Sequence, residues 1–223
     1  MQPGAVTSTE TSTLAVFDLD GTLLTSDSFG PFLRTFARSY GLRPAMLLIA
    51  PVCLVAYALQ LISARTLKER LMAGILGGHP SKAIHEHAVR FCASWVAEHY
   101  RTNGIELLRH HQAARHRVIL ESASPNVYVP IIARALGISE VICTRVQCEN
   151  DICTGRIIGP NCKGEDKVRL LKEYLGAEGL PPESYSYGDS ISDLPLLRWV
   201  RHGFMLKQGA FSPILPERAA PAP

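Results

Sequence analysis

The sequence predicts an α/β fold, a doubly wound parallel sheet with a helical cap inserted after its first strand. Two observations carry that expectation. Short apolar runs that stop abruptly in polar residues stand at Leu14–Phe17 and Val118–Leu120, the pattern of strands buried on both faces, and Tyr185–Tyr187 reads as a further strand that ends the same way. From Val118 onward strand and helix patterns alternate, which calls for parallel pairing with crossover helices. At 223 residues, with 47% hydrophobic and 19% charged side chains, the chain can bury a proper core. A formal net charge of +3 is too small to argue for nucleic acid as a partner. The six cysteines suit a reducing compartment, and the four-residue gaps of Cys143, Cys148 and Cys153 match neither zinc nor iron–sulfur spacings.

Residues 1–13 carry only Glu10 as a charge and lack the basic start and apolar run of a secretion signal. They read as a loose tail on a cytoplasmic protein. The core is expected to comprise residues 14–28 and 113–211, the cap 29–112, and a second tail 212–223. Leu14–Phe17 is the first strand, and it ends in Asp18 and Asp20 before Gly21 allows a sharp turn. In an open α/β sheet, ligands bind beyond the carboxyl ends of the strands, so both acids stand where a substrate reaches them. One can attack or bind a metal while its neighbour handles a proton.

Phe29, Phe32, Leu33 and Phe36 recur at helical spacing. From Pro44 to Ala64 there is no charge, a run long enough to span a bilayer. A single full crossing would separate Asp18 from the rest of the site, so the run is expected to fold back with a bend near Pro51, to dip into one leaflet, or to be buried within protein. Between Gly30 and Leu76 six basic side chains face Glu69 alone, which would suit an anionic membrane surface on the inner face. Helices buried inside a lid explain the run equally well. Ser81–Gln112 is helical, with an interruption expected at Asn103-Gly104. Strand Val118–Leu120 ends in Glu121-Ser122-Ala123-Ser124. A helix over 127–136, a strand at Val141–Thr144 and a hairpin over 146–158 follow. A helix then runs to Leu175, and strand Tyr185–Tyr187 ends in Gly188-Asp189-Ser190-Ile191-Ser192-Asp193. Residues 194–199 are helical, and Gly203–Leu206 is the last strand.

Asp18 and Asp20, Ser122, and Asp189 and Asp193 thus stand at strand ends on one edge, with Lys163 at a helix start. Three or four carboxylates around a point suit a hard divalent ion such as Mg²⁺, held together with substrate phosphate and water. A hydroxyl, a lysine and free backbone amides would neutralise phosphate oxygens.

Asp-Leu-Asp-Gly-Thr, the strand ending in Ser122, Lys163, and Gly-Asp-Ser-Ile-Ser-Asp resemble, in order, the four motifs of the haloacid dehalogenase superfamily, with its Rossmann-like core. The long insertion resembles that of the phosphoserine-phosphatase-like subclass, and its apolar, basic-edged cap looks like the one in the membrane-associated phosphatidylglycerophosphatase C type. The resemblance implies hydrolysis of a phosphate ester. It implies Asp18 as nucleophile, Asp20 as acid and then base, and Ser122 and a lysine on the phosphoryl group, with Gly21 and Ala123 beside them. It also implies Mg²⁺ held by Asp18, the Asp20 carbonyl and Asp189, with Asp193 in support. Asp27 aligns with an acid that phosphoserine phosphatases use near the substrate amine. The lysine is Lys163 or Lys167, and Lys163 is preferred because it lies nearer the helix start. Glu121 and Ser192 depart from the family pattern; Glu121 lines the pocket or points to solvent. The expected substrate is a lipid-linked or amphipathic phosphate, with a small metabolite such as phosphoserine as the alternative and a non-catalytic binding protein on this fold as the remaining one.

Overall fold

A computed structural model describes residues 13–215; of the tails expected at 1–13 and 212–223, residues 1–12 and 216–223 lie outside them. Seven strands form one sheet in the order β4-β3-β2-β1-β5-β6-β7. They are β1 Leu14–Phe17, β2 Arg117–Pro125, β3 Glu140–Glu149, β4 Ile152–Ile158, β5 Ser184–Gly188, β6 His202–Lys207 and β7 Ala210–Ile214. The five strands from β3 to β6 across the middle pair in parallel, and β4 and β7 close the two edges antiparallel. The helices are α1 Phe29–Tyr40, α2 Met46–Ala58, α3 Ala64–Ile75, α4 Ser81–Phe91, α5 Thr102–Ala113, α6 Val129–Ala135, α7 Glu165–Leu175 and α8 Leu194–Trp199.

Strand β1 lies at the centre, between β2 and β5, and all four of its residues are fully buried. Its alternate side chains enter two different layers. Leu14 and Val16 pack with Ile119 against Leu171 and Leu175 of α7 and Leu196 of α8. Ala15 and Phe17 face Leu120 and Tyr187 and join a cluster that runs on through Tyr128 to the cap residues Phe32, Phe36, Met72 and Phe91. The cap therefore shares its core with the sheet instead of closing around a core of its own.

Several sequence expectations shift. The chain does not bend at Pro51. Helix α2 runs through it, and one turn into a helix the missing N–H forfeits a single bond, to the Leu47 carbonyl. The reversal comes after α2. Gln60 adopts φ 59°, its N–H donates to Tyr57 O and that of Leu61 to Ala56 O, the double bond of a Schellman cap. Ser63 then caps α3 by accepting from Thr66 N. Asn103-Gly104 is not an interruption but the interior of α5, because a Cβ at Gly104 would lie 2.4 Å from the Thr22 carbonyl. The glycine serves close approach of helix to turn. The real break falls before it, where Tyr100 bridges to Leu24. Strand β2 continues past Leu120 to Pro125, β3 merges the expected third strand with the first arm of the hairpin, and β7 extends the sheet to Ile214, into the segment expected as tail.

Candidate active site

Strand β1 delivers Asp18 to the carboxyl edge of the sheet, and the Asp18 N–H still donates to Tyr187 O at 3.0 Å. The chain then turns sharply through Gly21 at φ 80°. Only glycine fits there: a Cβ would lie 2.0 Å from an Asp189 carboxylate oxygen. Asp189 follows the end of β5, and Asp193 closes the short turn after it, accepting from the Ser190 N–H and hydroxyl at 3.0 and 2.8 Å. One oxygen from each of Asp18, Asp189 and Asp193 lies within 4.8 Å of the others.

Lys167, fully enclosed in the first turn of α7, places its ammonium 2.6 Å from both Asp18 Oδ1 and Asp193 Oδ1. Burial works against that charge, yet Asp18, Asp193 and Glu121 around it hold its pKa well above the ordinary lysine value. Burial would likewise raise Asp193, but Lys167 and Ser190 hold it below the usual carboxylate range. Burial raises Asp18 and Asp189, and a single ammonium does not offset both. This surplus of oxygen ligands and negative charge is the donor set of a hard divalent cation. The residues present thus fit Mg²⁺.

Asp20 has a different setting. Its Oδ1 accepts from Ser28 N at 2.8 Å and its Oδ2 from the Ser124 hydroxyl at 2.5 Å. Burial nevertheless raises its pKa against these two bonds, so Asp20 holds a proton more readily than an exposed aspartate. Ser122 Oγ accepts from Ser124 N at 3.0 Å, within the irregular stretch where the register of β2 on β3 shifts between Ser122 and Pro125.

All ten sequence-predicted residues, Asp18, Asp20, Gly21, Asp27, Ser122, Ala123, Lys163, Lys167, Asp189 and Asp193, line one cleft of about 490 Å³. The family model for haloacid dehalogenase-like hydrolases matches residues 15–198. The chain belongs to that family.

Protein CicA of Caulobacter vibrioides is 31% identical over 191 residues, covering 82% of this chain and 81% of its own. The probable phosphatase Rv3661 of Mycobacterium tuberculosis is 32% identical over 136 residues, covering 53% of this chain and 47% of its own. A solved structure of a substrate-bound phosphoserine phosphatase shares the fold at a TM-score of 0.60 and 15% identity, covering 87% of this chain and 84% of the other.

The geometry reverses one preference within this haloacid dehalogenase-like site. Lys163 lines the cleft, but it is Lys167, one helical turn on, that touches Asp18. Nearness to the helix start is a weaker guide than which side chain the helix turns inward. Asp27 is exposed and already engaged: its Oδ1 accepts from Phe29 N at 2.9 Å and Gly30 N at 3.3 Å, capping α1. Glu121 neither lines the cleft nor faces solvent. It is fully buried, with Oε1 3.7 Å from Cys162 Sγ and no partner for Oε2.

Sequence reasoning missed Ser28 and Ser124 on Asp20, and two cations from the cap side. Lys68 of α3 donates to Ala123 O at 2.6 Å and Asn161 Oδ1 at 3.2 Å. Arg101 donates to Gly21 O at 3.0 Å. Lys68 was visible only as one of six basic residues flanking the apolar run. Nothing in its spacing marks it as the one that turns inward.

Proposed function

We propose that the protein is a magnesium-dependent phosphomonoester hydrolase that works through an aspartyl-phosphate on Asp18. The observation that carries this reading is the pairing of two aspartates in unlike settings, Asp18 buried beside Lys167 and Asp20 half-buried between two hydroxyl-bearing residues. Asp18 Oδ1 is held by Lys167, which leaves the other oxygen to attack phosphorus. Asp20, raised by burial, keeps its proton until the ester P–O bond breaks and then gives it to the leaving alcohol oxygen. As a carboxylate it next takes a proton from water, whose oxygen attacks the same phosphorus and breaks its bond to Asp18. Ser122, the Ala123 amide and Lys167 bind the phosphoryl oxygens. Asp18, the Asp20 carbonyl and Asp189 would hold Mg²⁺, with Asp193 supporting. When bound, the ion neutralises charge on the phosphate.

For the alcohol, the proposed class is an amphipathic or lipid-linked phosphate, met at the inner membrane surface. Support comes from the cap side of the cleft, where Phe29, Tyr57, Ala64 and Leu67 form an apolar wall above the acids. The alternative, an amino-acid phosphate with its ammonium on Asp27, is disfavoured because that carboxylate already accepts two helix N–H groups. The test is a panel of phosphate esters scored by kcat/KM with Mg²⁺, with and without detergent, spanning lysophosphatidic acid, phosphatidylglycerol phosphate and phosphoserine. Preference for the amphipathic esters, lost on chelation and restored by Mg²⁺, is expected. Preference for phosphoserine overturns the substrate class; no hydrolysis of any ester overturns the reaction.

A further inference from the structure

Helix α2 is the part of the chain that least resembles a soluble protein. Its 13 residues contain no charged side chain. Only Met46 and Cys53, seven apart and so on one stripe, are buried. They face α3, where Gly74 leaves room for Met46: a Cβ on that glycine would collide with the Met46 sulfur. Around the rest of the helix Leu47, Leu48, Val52, Leu54 and Val55 are 52–76% exposed. The loop that follows adds Leu59 at 64% and Leu61 at 73%. At 100° per residue the exposed apolar positions, from Leu54 round to Ile49, sweep about 220° of the helix circumference.

We infer that α2 docks into an anionic lipid bilayer. This partner serves the amphipathic substrate proposed above and rests on that reading for its purpose, though not for its geometry. A flat partner surface covers one face of a helix, whereas an apolar arc wider than half the circumference is satisfied only by a medium that flows around it. The charges agree. Arg34, Arg38, Arg43 and Arg70 are exposed on the elements that flank α2. Glu69, the lone acid between Gly30 and Leu76, is occupied by Ile157 N at 2.7 Å. Exposed basic residues on the stretches before and after an apolar helix complement anionic headgroups over acyl chains. Against a second copy of itself, the same exposed arginines would add like charge to like charge.

The length agrees as well. No helix among the described residues is long and apolar enough to cross a membrane. Thirteen residues reach about 20 Å, short of the roughly 30 Å hydrocarbon thickness, so α2 lies within one leaflet. Docking this way also gives the cleft its orientation. Tyr57, on the last turn of α2, lines both the catalytic cleft and the groove at Ala58–Ser63. The mouth of the site then opens at the bilayer boundary.

The test is co-sedimentation of the full chain with vesicles of phosphatidylcholine alone or mixed with phosphatidylglycerol. Wild type should pellet with the mixed vesicles, less so as salt rises. The triple variant Leu48→Ser, Val52→Ser, Val55→Ser should lose at least about tenfold in partitioning. Its hydrolysis of soluble para-nitrophenyl phosphate should stay at the wild-type level, because none of the three side chains reaches the cleft. Asp18→Asn should pellet like wild type, which separates docking from catalysis. Wild type left in the supernatant with both vesicles overturns the inference, as does undiminished binding by the triple variant. A concentration-dependent dimer that the triple variant abolishes, without vesicle binding, assigns the face to a second copy and likewise overturns it.

Discussion

The catalytic edge of the sheet and helix α2 break the burial rule in opposite directions. At the edge, Asp18, Glu121, Lys167 and Asp193 are ionisable groups with at most 9% of their surface exposed. On α2, leucines and valines stand in the open. Scattered exposed apolar residues are ordinary in proteins; buried charge and contiguous exposed apolar surface are not. The two departures differ in how they are held. Asp18, Lys167 and Asp193 are held by one another, so changing one disturbs the rest, whereas the exposed side chains of α2 touch little and are nearly independent of one another.

The sharpest way to break the coupled edge is Asp18→Asn. It removes the attacking carboxylate while keeping the shape, and should lower kcat on any phosphate ester by at least roughly four orders of magnitude. Trapping with radiolabelled substrate should find no phosphoenzyme in this variant. Turnover at the wild-type rate would end the mechanism. The next largest effect belongs to Lys167→Met. Losing the ammonium leaves Asp18 and Asp193 unpaired in a buried setting, which should cost about 3 kcal/mol of stability as well as activity. Lys163→Met, at a position that only lines the cleft, should leave the denaturation midpoint near wild type. Equal loss of stability in the two variants would contradict the geometry.

How much of this was legible in the sequence divides along the same line. Strand β1 could be read directly from its apolar run, and the acids that follow it gained meaning because polar groups recur at successive strand ends in the order of one family's motifs. Asp189 and Asp193 were legible for the same reason. What was hidden depends on direction in space. Lys163 and Lys167 differ by a single helical turn, and only the packing of α7 on the sheet decides which ammonium turns inward. Gly104 looked like a helix stop and is instead a point of contact with Thr22, a requirement set by another segment. The apolar run gave its length and flanking charges but not its exposure. The Schellman turn at Gln60 was equally hidden, since most such caps use glycine.

Glu121 sharpens the comparison from inside the charged cluster. Burial pushes its carboxyl from 4.5 up to about 8, against the pull of Lys167. An acid raised in the folded state contributes stability that is complete below the unfolded pKa and is lost as pH climbs through the folded one. Wild type should therefore weaken between about pH 5 and pH 9 relative to Glu121→Gln, whose amide keeps the shape without titrating. The variant should match wild type at the acid end and exceed it at the alkaline end by roughly 3–5 kcal/mol. Parallel Tm curves for the two proteins across that range would show that Glu121 does not titrate there.

The smallest expected effect is the most direct probe of α2. Met46 is buried against Gly74 of α3, and Met46→Ala should cost about 2–3 kcal/mol through the lost contact and the cavity left behind. Leu48, two residues on and 76% exposed, has almost no burial to lose, so Leu48→Ser should stay within about 0.5 kcal/mol of wild type in urea titrations without lipid. The pair tests the helix face by face, because both residues lie in the same turn and differ mainly in which way they point. If Leu48→Ser destabilises the chain as much as Met46→Ala, then Leu48 is covered by protein in solution. The apolar arc would then belong to a self-contact, and the contrast between a compensated edge and an uncompensated helix would no longer stand.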